Sequence, residues 1–163
     1  TTTTQMNNIG SARLYGYILA LNYTTPWFIL DTNFTNTYGS TLSNYYTSSN
    51  VMVPAGSPLP IPQAKGFVGL GFPINPIDST IQTNINYALN QPNRPNFGVT
   101  PPDVPGYVLL GLAYKWKGKR QLKGVEALIG VDNLLNENYQ NYNGYSLYPG
   151  MGRNVYGQIS YKY

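Results

Sequence analysis

The chain has neither cysteine nor histidine in its 163 residues. The first absence excludes disulfides, thiolate metal sites, iron–sulfur clusters and thiol catalysis. The second removes the usual general base and the commonest transition-metal ligand. Charge is thin as well, at 10% of residues. The carboxylates are Asp31, Asp78, Asp103, Glu126, Asp132 and Glu137, six in all. A self-contained enzyme is not expected from this inventory, and no cofactor or metal is implied. Helix-favouring Glu and Lys are sparse, so a mainly helical fold is not expected either. No apolar run reaches the length of a membrane-spanning helix, about 18 residues. That argues against helical spans only, because barrel strands are apolar on one face alone. Residues Thr1 to Asn8 are polar and lack the apolar segment of a signal peptide.

What is abundant points to strands. The chain carries 16 Tyr, 17 Gly and 13 Pro. Tyr and Thr suit pleated surfaces, while Gly, Pro and Asn punctuate turns. From Arg153 to the carboxyl terminus the residues alternate, with Val155, Gly157, Ile159, Tyr161 and Tyr163 on one side and Asn154, Tyr156, Gln158, Ser160 and Lys162 on the other. Neighbouring side chains of a strand point to opposite faces, so this is a ribbon with one apolar and one polar face. An outer-membrane barrel needs that pattern, because lipid lies outside and water or protein inside.

The alternation recurs upstream, and about seven strands can be read, over 12–24, 27–38, 65–74, 79–90, 106–116, 125–134 and 153–163. The apolar face of the fourth is Ile81, Thr83, Ile85, Tyr87 and Leu89, against an amide-rich face with Gln82, Asn84, Asn86 and Asn90. The fifth offers Val108, Leu110, Leu112, Tyr114 and Trp116 to lipid. In the first, Tyr15, Tyr17, Leu19, Leu21 and Tyr23 oppose Leu14, Gly16, Ile18, Ala20 and Asn22. That second face is small rather than polar.

Short links (25–26, 75–78, 117–124) alternate with long ones (39–64, 91–105, 135–152), as periplasmic turns alternate with extracellular loops. This places the carboxyl terminus in the periplasm. Tyr23, Trp27, Tyr114 and Trp116 stand beside short turns, where an interfacial aromatic girdle belongs, though aromatics are also good strand formers. An odd count of strands cannot close a single-chain bacterial barrel, and open edges are costly in lipid. The expectation is therefore a segment of a larger barrel, with its amino end in an extracellular loop and other polypeptide closing the wall.

A family resemblance follows from these residues. The stretch GVEALIGVDNLLNENYQNY from Gly124, with YPGMGRNVYGQISYKY after it, resembles the carboxyl-terminal end of TonB-dependent outer-membrane receptors. The family's Asn-Leu pair corresponds to Asn133 and Leu134, its Tyr to Tyr139, and its Pro-Gly-Arg-like turn to residues 149–153. Upstream, NIGSARLYGYILALNY and LPIPQAKGFVGLGF also resemble family strands. Departures are Ile18 where the family usually has Glu, Met151 inside the turn, and Tyr163 where Phe or Trp is commoner. The resemblance implies that residues 1–163 are one unit, roughly the last third of a barrel of about 22 strands with a plugged lumen, but without the plug domain itself. It also implies uptake of a scarce ligand such as an iron chelate, a cobalamin or a glycan, energised through TonB. The partners implied are the rest of the barrel, its plug, outer-membrane lipid and, through the plug, TonB.

Candidate site residues follow from the loops. Tyr45 and Tyr46 lie in the first long link; Tyr139, Tyr142, Tyr145 and Tyr148 lie in the third. Aromatic loops grip planar ligands by stacking and orient them with hydroxyl groups, but Tyr and Asn also make ordinary ordered surface loops. Gly157, Ile159, Tyr161 and Tyr163 resemble the terminal signal read by the barrel-assembly machinery, and fit an ordinary last strand equally. Asp31, Glu126 and Asp132 fall on the lumen face, as a hydrated wall or as partners of basic groups. Half of the 10 basic residues cluster as Lys115, Lys117, Lys119, Arg120 and Lys123, in reach of lipid headgroups or simply solvated. Nucleic-acid binding is not expected despite a pI of about 9.2, since this one turn lacks an aromatic stacking platform. Alternatives to a receptor are a passive multi-chain porin and a soluble β-protein used in adhesion.

Overall fold

The computed structural model describes residues 11–46, 52–59, 61, 63–91, 103–142 and 147–162. Among them the chain forms strands β1 (Ala12–Thr24), β2 (Ile29–Thr41), β3 (Tyr45–Tyr46), β4 (Met52–Val53), β5 (Lys65–Ile74), β6 (Ser79–Ala88), β7 (Tyr107–Lys117), β8 (Val125–Asp132), β9 (Gln140–Tyr142), β10 (Leu147–Pro149) and β11 (Asn154–Tyr161). The long strands make one antiparallel sheet of 7, in the order β1-β2-β5-β6-β7-β8-β11. Each long strand pairs with the next long strand in the chain, so the sheet is a meander. The short strands form two small hairpins, β3 with β4 and β9 with β10, inside the first and third long links. No helix among the described residues is long and apolar enough to cross a membrane.

The expected strands at 12–24 and 65–74 are found residue for residue. The others differ at their ends for local reasons. Trp27 and Phe28 belong to the turn before β2, because the Thr25 amide and hydroxyl both donate to the Phe28 carbonyl, at 2.7 and 3.0 Å. Strand β8 stops at Asp132 because Asn133 adopts φ 49°, in the left-handed region. Gly124 closes the β7–β8 link at φ 93°, with its Cα against the Lys162 carbonyl, and receives the Lys162 amide on its own carbonyl at 2.9 Å. A Cβ has no room there.

Register decides the faces. Leu19 lies opposite Phe34 and Phe34 opposite Gly66. Val68 faces Ile85, and Ile85 faces Leu110. Leu112 faces Val131, which faces Val155. Residues paired across strands share a face, so every apolar half-strand read from the sequence falls on the same side of one sheet. The opposite side carries Asp31, Asn33, Gln82, Asn84, Asn86, Glu126, Asp132, Gln158 and Ser160.

The sheet has almost no enclosed core. The chain exposes 11321 Å², against about 8,100 Å² expected of a compact monomer of 18.1 kDa. Leu19, Leu21, Ile129, Val155 and Ile159 are all exposed on the apolar face. Of the buried apolar residues described, Val53, Leu59, Ile61, Val104 and Tyr142 lie in the long links, and the sheet contributes the small Ala88 and Ala113. Strands β1 and β11 are the two edges of an open sheet.

Aromatic residues form two belts on the apolar face. Near the short turns stand Tyr23, Phe28, Phe72, Tyr114, Trp116 and Tyr161, with Phe28 and Phe72 at 5.9 Å between ring centroids. Toward the long links, Tyr15 stacks on Tyr38 at 5.5 Å, and Phe34 lies between Tyr17 at 6.0 Å and Tyr87 at 6.4 Å. Between the belts the face is aliphatic and threonine. From Tyr17 to Tyr23 is about 20 Å along the strand, close to the apolar height of an outer-membrane barrel.

Candidate functional site

The long links gather at one end of the sheet, and two of them are clamped together. Gln63 is only 5% exposed. Its amide nitrogen points at the carbonyls of Leu89 and Pro105, both at 3.1 Å. Gln91, also buried, donates to the Ile61 carbonyl at 3.0 Å and exchanges backbone hydrogen bonds with Val104. Gln63→Leu should unclip this join, at about 0.5–1.5 kcal/mol for each part-buried hydrogen bond lost. Hydrogen exchange should quicken at Leu89, Gln91 and Val104 while the sheet stays protected.

The third link is organised by Asn133, which is buried. Its Nδ2 donates to the carbonyls of Glu137 at 2.9 Å and Met151 at 3.1 Å. Its Oδ1 accepts the Glu137 amide at 2.7 Å. Asn136 extends the knot: it adopts φ 55°, and its Oδ1 accepts the Arg153 amide at 2.9 Å. Asn tolerates left-handed backbone and offers both a donor and an acceptor, so each position suits this residue type. The Asn-Leu pair singled out in the sequence therefore ties the start of the link to its end.

From this knot the β9–β10 hairpin folds back over the polar face. The Tyr139 ring packs on Tyr107 at 4.4 Å between centroids. The Tyr107 hydroxyl donates to Asn141 Oδ1 at 3.0 Å, and Lys65 Nζ reaches the same oxygen at 3.4 Å. Both Tyr107 and Lys65 lie on the polar side of the sheet, opposite Ala88. Gly150 sits beneath the Tyr139 ring, where a Cβ would overlap it. A cavity of about 360 Å³ opens between the hairpin and the sheet, with Asn86, Tyr107, Asp132, Asn133 and Tyr139 among its lining residues. It combines stacking surface with a carboxylate and amides, a setting that orients a small polar or planar molecule.

The sequence-predicted residues are thus spread rather than joined. Tyr139 lines the cavity. Tyr142 is buried opposite Leu147, and Tyr148 is exposed opposite Asn141. Tyr45 and Tyr46 lie in the separate β3–β4 hairpin, opposite Val53 and Met52. Burial pushes the Tyr45 hydroxyl's pKa up, while Tyr46 is exposed. Gly157, Ile159 and Tyr161 are exposed on the apolar face. Tyr145 and Tyr163 lie outside the described residues. Sequence reasoning missed Tyr107, which it passed over within the fifth strand. Its place at the loop end of the polar register of β7 was the available signal.

The lysine cluster, read as a headgroup patch or a solvated turn, is divided by strand alternation. Lys115 and Lys117 alternate with Tyr114 and Trp116, so they point to the polar side. Lys115 Nζ lies 3.5 Å, Lys117 Nζ 4.0 Å and Lys162 Nζ 3.8 Å from the Glu126 carboxylate. Lys119 pairs with Asp78 at 3.2 Å. Glu126 is therefore a partner of basic groups on neighbouring strands and not merely hydrated wall.

No family model matches the chain. It is 27% identical over 162 residues to the TonB-dependent heme receptor A of Haemophilus ducreyi, covering 94% of this chain and 21% of that receptor. The chain thus spans about a fifth of that relative's length. Among solved structures it resembles the copper transporter OprC, with a TM-score of 0.70 at 20% identity, over 92% of this chain and 23% of that one. It also resembles the FrpB iron transporter of Neisseria meningitidis (F5-1 variant), with a TM-score of 0.70 at 15% identity, over 93% and 24% of the two chains. At those identities the likeness is one of fold. In sequence, then, the chain is similar to part of a TonB-dependent receptor, and in fold to part of two metal transporters.

Proposed function

We propose that the chain is the carboxyl-terminal part of an outer-membrane receptor barrel that takes up a scarce ligand with energy delivered through TonB. The observation that carries this is the register. It gathers every apolar half-strand onto one face and most of the amides and charges onto the other, in a sheet whose edges are left for further barrel strands. The apolar face meets lipid, and the polar face lines a lumen holding a plug domain. The long links are extracellular, and β11 runs toward the periplasm. The named relatives handle heme, copper or iron, which favours a metal or metal complex over a glycan as cargo. The β9–β10 hairpin and its cavity form part of the loop surface that meets this ligand first, with Tyr139 as the stacking residue and Tyr148 exposed on the hairpin. The Tyr45–Tyr46 hairpin contributes a second aromatic edge.

Uptake of heme by cells carrying the intact receptor tests the proposal. Accumulation should stop when an uncoupler collapses the inner-membrane gradient, and Tyr139→Ala should weaken surface binding of heme by several-fold. Uptake that continues unchanged with the uncoupler would instead mark a passive porin.

A further inference from the structure

The apolar face is not evenly filled at its short-turn end. Pairing sets its side chains in rows across β7, β8 and β11. Trp116, Ala127 and Ile159 form one row; Tyr114, Ile129 and Gly157 the next; Leu112, Val131 and Val155 the third. Ala127 and Gly157 are short beside their neighbours, and the surface dips over them. The dip is a groove of about 530 Å³ walled by Trp116, Tyr114, Ile129 and Ile159. A hollow of about 400 Å³ continues it past Leu112, Val131 and Val155, and shares Tyr114 and Ile129 with it. The joined track runs from Trp116 to Leu112, about 13 Å along the strand. That is half of the roughly 25 Å apolar height of a barrel wall, the depth of one leaflet.

Beyond the turn end of the track stand two cations with no acid beside them. Arg120 and Lys123 lie in the β7–β8 link, outside the groove, and both are exposed. Neither forms an ion pair among the described residues. Lys119 is engaged by Asp78 at 3.2 Å, and Glu126 lies on the polar side with Lys115 at 3.5 Å. Leu122, exposed between the two cations, adds an apolar tip. Basic and apolar side chains at the rim of a greasy surface suit an anionic headgroup above hydrocarbon. A further barrel strand would pair with the edge of β11 and leave this face open. An unfilled groove forfeits dispersion contacts, so in a bilayer an acyl chain enters it. Hydrocarbon alone makes no choice among lipids, because their tails are as apolar as the wall. The charge at the headgroup end makes that choice.

We infer that the track and the basic turn together hold one anionic phospholipid of the periplasmic leaflet. An acyl chain lies over Ala127 and Gly157, and the phosphate lies by Arg120 and Lys123. This lipid is retained and selected by its headgroup, unlike the bulk lipid around the rest of the wall. The inference rests on the proposed reading of the apolar face as lipid-facing and of the short turns as periplasmic.

Native mass spectrometry of the intact receptor tests it, with the protein purified in detergent and mixed with equal phosphatidylglycerol and phosphatidylethanolamine of identical chains. One phosphatidylglycerol should stay bound at collision energies that strip phosphatidylethanolamine. Combining Arg120→Gln with Lys123→Gln should cut that preference several-fold, with assembly unchanged because both side chains are exposed on a link. Ala127→Leu should fill the track and weaken retention of both lipids several-fold, with the preference kept. Equal retention of the two lipids by the parent would overturn the inference, as would a preference that survives the double variant. So would a bound polypeptide, or inorganic phosphate, in place of the lipid. Failure of the face reading itself shows separately, as equal assembly defects from arginine on either face of β6.

Discussion

Ile85→Arg and Leu110→Arg are each expected to block assembly, while Asn84→Arg is expected to be tolerated. Ile85 and Leu110 lie directly opposite each other on the apolar face, between the two aromatic belts. An arginine there meets hydrocarbon, at about 2–4 kcal/mol near the bilayer midplane. Snorkelling offers little relief at that depth, because the belts mark the nearest water on either side. Asn84 is the next residue along β6, but it lies opposite Gly69 and Gly111 on the polar face. On that face water or lumen protein can solvate the charge of a long side chain. Folding of the intact receptor into liposomes, followed by the mobility shift of the folded band, measures both outcomes. Similar losses from both substitutions would refute the assignment of faces.

Asn133→Ala should be the most damaging change in the loops. It removes one side chain that serves two carbonyls and one amide. These bonds are part-buried, so each contributes about 0.5–1.5 kcal/mol. The cost falls on the link rather than on the sheet. Leu134 still donates to the Leu110 carbonyl at 2.7 Å, so β8 keeps its pairing with β7. The β9–β10 hairpin should swing off the polar face, separating Tyr139 from Tyr107. Expected results are faster proteolysis within 133–153, weaker surface binding of heme, and near-normal assembly. Asn133→Asp is the informative companion: it keeps the acceptor for the Glu137 amide but lacks the donor to Met151. An intermediate effect would show that both halves of the amide matter. A hairpin as protected in Asn133→Ala as in the parent would refute the knot.

Strand existence and faces were legible in the residues because a strand's period is two and lipid tolerates few errors on one side. Ile81, Ile85, Leu110 and Leu112 could be assigned to one face from alternation alone. The edges were less legible. Phe28 reads as strand but is held in a turn by Thr25, and Asn133 reads as a strand end only once its left-handed backbone is seen. The division of the lysines between turn and polar face was hidden for a related reason. Their clustering along the chain suggested a single patch, whereas strand alternation sends Lys115 and Lys117 to the polar side, where Lys162 arrives from the last strand.

By itself the sequence determined the local ribbon: which residues point together, where turns fall, and that one side of the sheet is greasy. Tertiary structure decided what depends on register between strands distant in sequence. Register stacked Tyr15 on Tyr38 and Phe34 beside Tyr87, making a second aromatic belt that no single strand announces. It brought Tyr139 onto Tyr107 and three lysines onto Glu126. Alternation is a property of neighbours along the chain, while a belt, a cavity and a charge cluster are properties of neighbours across it, and only hydrogen-bonded pairing fixes those.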